Sequence, residues 1–308
     1  MDKFQRTLAR RVKINTMSYD NRLRDREAAP LFEAIGARAR LDVSPSDVTD
    51  ALRLIGVTSG SAVLLHPDAI VAAQFPATPS TSAPNTLNEQ RLDLLLAAVH
   101  DAIGPNGTLV IPTFTYSFTK GEAFDVRNTP SAVGMVSERF RKKANVERTS
   151  DPIFSFACSG PLASELCALP VTECFGRESV FAALHRWNAH IIDLGCSMSR
   201  GGTFVHYVET LYGVAYRYEK VFHGTIVSSN GRSSECSIVY NVRDLTRRSG
   251  ADLRRLENRL ADDRKSRTVV VGRSRIMAVR ANDLFETVWK MLDEDPASLI
   301  EEGVVGRI

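Results

Sequence analysis

In the segment LGCSMSRGGTFVHYVET (194 to 210), a buried-strand pattern breaks at a glycine-rich turn, and a helix-forming stretch then presents His206 and Glu209 three residues apart. Residues at that spacing share a helix face. A carboxylate beside an imidazole fixes the ring's tautomer and stabilises the imidazolium formed when the ring takes a proton, so the pair has the makings of a general base. Thr203, three residues before His206, can point its hydroxyl into the same pocket, where it would donate to an oxyanion or position a carbonyl. The preceding Ser199-Arg200-Gly201-Gly202 can form a nest of backbone amides facing an anion, or a plain turn. On the residues alone, a helical histidine is more often structural than catalytic.

Cys196, ten residues before His206, offers a second chemistry: Cys, His and a carboxylate can form a covalent acyl-transfer triad. Against it, Cys196 directly follows an apolar strand, where buried and inert thiols are common. The five cysteines (Cys158, Cys167, Cys174, Cys196 and Cys236) are odd in number and form no CxxC, so neither a disulfide framework nor a metal site is expected. There is no GxGxxG and no GxxxxGK[ST], which removes the usual evidence for dinucleotide binding and nucleotide hydrolysis.

These residues need a scaffold, and the rest of the chain reads as one. Of 308 residues, 44% are hydrophobic and 24% charged, as in an ordinary globular protein, and the formal net charge is +3. No apolar run approaches the ~20 residues of a membrane span, and the N-terminus lacks the apolar stretch of a secretory signal, so the expected location is cytoplasmic. The basic runs at 139–143, 244–248 and 252–267 are mostly interleaved with acids and read as solvated helix faces, without a nucleic-acid or membrane partner. Residues 1–43 read as a charged extension, helical in part over 30–41, before a domain spanning 44–308. Ser44, Pro45 and Asp47 form a helix start, Val48, Leu52 and Ile55 an apolar face, and Gly56 a stop. AVLLH (62–66), a helix over 88–103 and TLVIPTF (108–114) read as strand, helix and parallel strand. The Pro/Ser/Thr-rich stretch 75–86 reads as a surface loop over a pocket. Helices near 132–143 and 178–187 and the strand 190–195 continue the alternation. A hairpin around Asn230-Gly231, a second strand pair (TVVVG and RIMAVR) and a helix over 281–293 follow.

Read with its flanks, the His206 region resembles the antibiotic N-acetyltransferase family typified by aminoglycoside 3-N-acetyltransferases, whose motif is a Gly, a short loop and Thr-x-x-His-x-x-Glu. LRLIGVTSGSAVLLHPDA, NGTLVIPTFTYSF and RTSDPIFSFACSG before it, and AYRY, VYNVR and MLDEDPASLI after it, match the family in order and spacing over roughly residues 44 to 302. The departures are Pro67-Asp68 where the family has two serines after His66, Asp151 where it has His before Pro152, and Val180 where it has Pro after Ser179.

The resemblance implies an α/β fold with a central mixed sheet flanked by helices and a smaller strand-rich C-terminal region, from about 220 to 280. It implies an acyltransferase using acetyl-CoA as co-substrate, without a metal, in direct transfer to an amine of an aminoglycoside or amino sugar, as in antibiotic resistance. His206 would be the general base, Glu209 its support and Thr203 the third catalytic residue. His66, Asp68, Thr113, Ser155, Ser179 and Gly201 would contact the coenzyme. Arg148 would meet a coenzyme phosphate or, in a structural role, a carboxylate, and Ser179 can equally cap a helix. A homodimer is an open option. The rival readings are a Cys-dependent covalent acyltransferase and a non-catalytic binding protein on the same fold.

Overall fold

The computed structural model describes residues 43–76 and 84–301. The extension before residue 43, with its expected helix, and residues 77–83 of the expected loop lie outside them. Three short apolar runs, β1 (Ala62–Pro67), β2 (Thr108–Pro112) and β6 (His190–Leu194), form the parallel centre of the sheet, with β1 between the other two. Helix α2 (Pro84–Ile103) carries the chain from β1 to β2, the crossover that a parallel pair requires. The flanks run antiparallel: β5 (Phe156–Ser159) pairs with β2 and with β4 (Glu147–Arg148) on one side, and β10 (Ser274–Arg280) pairs with β6 and with β9 (Ser266–Val271) on the other. The result is a seven-stranded mixed sheet in the order β4-β5-β2-β1-β6-β10-β9.

Alternation along β1 divides the interior in two. Val63 and Leu65 face a core built with α1 (Pro45–Leu54), α2 and α3 (Met135–Arg141), whereas Leu64 faces one built with α5 (Val180–Arg186), α7 (Phe204–Tyr212), α8 (Arg254–Asp262) and α9 (Ala281–Glu294). Both faces are therefore covered, which is why these strands read as continuous apolar runs. The basic run at 139–143 is spent on acids: Arg139 on Glu89 and Asp93, Lys143 on Asp93, and Arg141 and Lys142 on Glu138.

One architectural expectation needs correcting. The two late strand pairs do not form one small region. The hairpin of β7 (Arg217–Val227) and β8 (Ser233–Arg243) joins β3 (Phe124–Asp125) in a separate three-stranded sheet. The β9–β10 pair instead extends the main sheet. Ile276, Met277, Ala278 and Val279 are all buried, and a strand covered on both faces has to pair along both edges. Most of β7 between Tyr218 and His223 is exposed, so it is not drawn under the helices.

The first described helix is set by local chemistry. The Ser44 side chain accepts from Asp47 N, and the Asp47 carboxylate accepts from Ser44 N at 2.7 Å, a reciprocal capping box. Ser44→Ala should therefore cost about 1 kcal/mol of stability, read as a lower denaturation midpoint with an unchanged denaturant slope.

Candidate active site

Helix α7 buries Phe204, Val205, Tyr207 and Val208 in the core. The opposite arc leaves the His206 side chain 23% exposed, above Glu209 at 1%. Gly213, at φ +81°, ends the helix in the left-handed conformation that favours glycine and returns the chain toward the same carboxylate. As a result Glu209 has three side-chain partners. His206 Nδ1 lies 2.7 Å from Oε2, Arg217 Nε lies 2.7 Å from the same oxygen, and the Tyr216 hydroxyl donates to Oε1 at 2.8 Å.

Arg217 also touches the imidazole. Its Nη2 is 2.8 Å from His206 Nδ1 and 3.4 Å from Nε2. A donor in the ring plane aimed at Nδ1 would lie far from Nε2, on the other side of the ring; near-equal distances put the guanidinium over the ring face. Guanidinium planes favour such stacking. The in-plane Nδ1–H therefore remains free to donate to Glu209, and Nε2 keeps its lone pair for a proton. The Phe175 ring meets the imidazole edge-on, with centroids 5.7 Å apart.

Burial, the Arg217 cation and, more weakly, Arg243 hold the His206 pKa below the ordinary histidine value, with Glu209 partly offsetting them. Burial alone would raise Glu209, but His206, Arg217 and the Tyr216 hydroxyl outweigh it, and the carboxylate sits below its usual range. At neutral pH the site thus contains an ionised carboxylate, a cationic arginine and a neutral imidazole. A ring in that state can accept a proton.

The turn before α7 rests on the ends of the parallel strands. His66 and Asp193 are register partners on β1 and β6, with Nδ1 and Oδ1 3.2 Å apart but not aligned for a hydrogen bond. Gly201 packs on them so closely that a Cβ there would collide with Asp193 Oδ1 and the His66 side chain. Residues Met198–Gly201 form a helical turn, α6. The amides of Arg200 and Gly201 donate to Ser197 O, Gly202 N to Met198 O and Thr203 N to Gly201 O. The amides of Arg200, Gly201 and Gly202 are consumed within the turn, which favours the plain turn over an anion-facing nest. Thr203 begins α7 without a side-chain cap, so its hydroxyl is not spent on the helix end.

The residues that the sequence assigns to coenzyme contact separate here. The Thr113 and Ser155 side chains are both fully buried, with hydroxyl oxygens 3.1 Å apart, and both accept from Arg148 Nε. Arg148 also donates to the carbonyls of Thr113, Thr129 and Val126 at 2.7, 2.6 and 3.3 Å and lies over the Phe124 ring. Burial lowers its pKa to about 9, still cationic at neutral pH. Its protein partners are carbonyls and hydroxyls, with no carboxylate among the hydrogen-bond partners. Ser179 caps α5 and donates to Gly176 O at 2.7 Å. Asp68 remains partly exposed, 3.4 Å from Arg200. Asp151 Oδ1 accepts from Ile153 N and Phe154 N at 2.8 Å each, so the residue that replaces a histidine caps a turn. The Cys196 thiol donates to His66 O at 3.3 Å, and burial, with Asp193 and Asp68 nearby, pushes its pKa up, away from a nucleophilic thiolate.

Tyr216 and Arg217 complete the cluster around Glu209, and the sequence did not single them out. Their only signal was AYRY (215–218), which begins two residues beyond the Gly213 stop. Among the described residues, no group of three or more His, Cys, Asp or Glu could hold a metal ion, and no helix is long and apolar enough to cross a membrane.

Two outcomes follow from this geometry. Gly201→Ala should lower kcat of the expected acyl transfer by tenfold or more, by tilting the turn that carries Thr203 and His206, because a misplacement of about 1 Å can cost roughly 100-fold; an unchanged kcat would detach that turn from the site. In the parent, activity should fall as pH drops through a His206 pKa that lies below the ordinary ~6.5. Arg217→Gln removes the like charge over the ring, so the imidazole pKa rises and the acid limb of kcat/KM moves to higher pH.

Comparison with known proteins agrees with this picture. The family model described as "Aminoglycoside 3-N-acetyltransferase" matches residues 85–293. An aminoglycoside N(3)-acetyltransferase IV from Salmonella sp is 27% identical over 245 residues, covering 79% of this chain and 84% of that protein. Among solved structures, aminoglycoside acetyltransferase AAC(3)-Xa shares the fold with a TM-score of 0.70 at 19% identity, covering 88% of this chain and 98% of its own. AAC-IIIb in a binary complex with CoASH has a TM-score of 0.68 at 17% identity, covering 82% and 96%. The chain belongs to the aminoglycoside 3-N-acetyltransferase family, a family of acyltransferase enzymes.

Proposed function

We propose that this protein transfers an acetyl group directly from acetyl-CoA to an amine, with His206 as general base, Glu209 and Arg217 holding that base, and Thr203 supporting the carbonyl under attack. The observation that carries the reading is the imidazole whose Nδ1 is fixed by a buried carboxylate, whose face is covered by a cation and whose pKa is depressed. Such a ring is neutral at the pH where an attacking amine has to shed its proton. Family membership supports acetyl-CoA as donor, as does the relative bound to CoASH. Solved relatives bound to apramycin, a gentamicin and sisomicin support an amine of an aminoglycoside or amino sugar as acceptor.

Acetyl-CoA supplies the acyl group as an activated thioester. The amine nitrogen bonds to the acyl carbon, the carbon–sulfur bond breaks, and the amine proton passes to His206 Nε2 and on to the departing thiolate. Thr203 has a hydroxyl unspent on capping and within reach of the same helix end, which suits a donor to the carbonyl oxygen. His66, Thr113, Ser155, Ser179 and Gly201 support strand ends and turns around the site, while Asp68 and its neighbour Arg200 offer the exposed polar surface for the coenzyme.

His206→Ala should reduce kcat about 10²- to 10⁴-fold on any accepted amine, the usual contribution of a general base, with the protein folded by circular dichroism. Cys196→Ala should keep most of the parent rate. A dead Cys196 variant beside an active His206 variant would replace direct transfer with a covalent route.

A further inference from the structure

The charge around His206 bears on what the acceptor is. The one carboxylate at the base, Glu209, is already matched by Arg217, His206 and the Tyr216 hydroxyl. It has no unmatched charge left for a substrate cation. Arg217 and Arg243 are register partners across β7 and β8, so their side chains leave the same face with Cβ atoms about 5 Å apart, an arrangement that destabilises a strand pair when like charges meet without counter-charge. Arg217 has that counter-charge in Glu209. Arg243 is exposed and makes no ion pair within 4 Å among the described residues, with Glu219 on the same face or with any other carboxylate. Its charge reaches the catalytic imidazole and the Tyr240 phenol. The acids nearest in sequence to the Phe175 wall, Glu173 and Glu178, line a separate small cavity with Asp151 and Cys174, and His206 is not part of that lining.

A polycationic acceptor binds best against unmatched carboxylates. Here the unmatched group, on the strand partner of Arg217, is a guanidinium, whose planar fork suits an oxyanion. We propose that the amine accepted at His206 belongs to an amino sugar that also carries a phosphate, and that Arg243 receives this phosphate and sets the enzyme's acceptor preference. The inference rests on the acetyl-transfer reading above and narrows its acceptor. The phosphate can come from a free sugar phosphate or from a nucleotide-linked sugar.

The test measures thiol release from acetyl-CoA with four acceptors: glucosamine, glucosamine 1-phosphate, uridine-diphosphate-glucosamine and apramycin. The parent should favour the phosphate-bearing acceptors over glucosamine by roughly tenfold or more in kcat/KM, through KM, since a hydrogen bond to a charged group carries at least that factor. Arg243→Glu should abolish this preference, and Arg243→Lys should restore part of it. Preference for only one of the two phosphate-bearing sugars identifies the source and supports the proposal. A parent that turns over apramycin better than either, or a preference untouched by Arg243→Glu, overturns the proposal while leaving acetyl transfer intact. No thiol release with any of the four overturns both.

Discussion

A carboxylate with 1% of its side chain exposed cannot stay ionised without partners, because burying an unpaired charge costs several kcal/mol. Glu209 solves this with three: the imidazole of His206, the phenol of Tyr216 and the guanidinium of Arg217. The rest of the site follows from that balance. The carboxylate orients the ring, burial and then the guanidinium outweigh the carboxylate's pull on the imidazole pKa, and the net effect is a histidine that is both fixed and neutral. Without Arg217, the carboxylate's pull would be opposed mainly by burial, and the imidazole pKa would rise. Without Glu209, the guanidinium over the ring would lose its ion pair and keep the Asn241 carbonyl as an anchor.

The scaffold makes this arrangement rigid at both ends. Upstream, the parallel strands end at His66 and Asp193, and the α6 turn packs on them through a glycine that leaves no room for a side chain. Downstream, Gly213 reverses the chain so that β7 starts with Arg217 against the helix it has just left. Helix α7 is thus held between a sheet end and a hairpin, with its apolar residues buried in the core shared with α5 and α9.

Family membership and local departure coexist without conflict. Asp151 replaces a histidine and becomes a turn cap; Ser179 keeps its hydroxyl and caps a helix although no proline follows. The buried group of Arg148, Thr113 and Ser155 fixes the end of β2 by hydrogen bonds to carbonyls. These residues match family positions, yet in this structure they are part of the frame.

The amino-acid sequence by itself determined what depends on short-range periodicity and on local chemistry. The strand-helix-strand order around β1 and β2, the capping box at Ser44, the hairpin at Asn230-Gly231 and the pairing of His206 with Glu209 on one helix face are all set within a few residues of each other, where the 3.6- and 2-residue repeats are visible directly. The coarse mixed-sheet fold was legible for the same reason, helped by motifs that keep their order along most of the chain. Tertiary structure alone decided the rest. That β9 and β10 extend the main sheet while β7 and β8 leave it depends on which strand is covered on both faces, which no local pattern records. That Arg217 lies over the imidazole, that Arg148 finds carbonyls instead of an acid, and that the amides of residues 200–203 are used within their own turn are outcomes of how the folded chain places its groups. A charge or a hydrogen-bonding group announces its chemistry in the sequence, but its partner, and so its protonation state and role, is fixed only when the chain folds back on it.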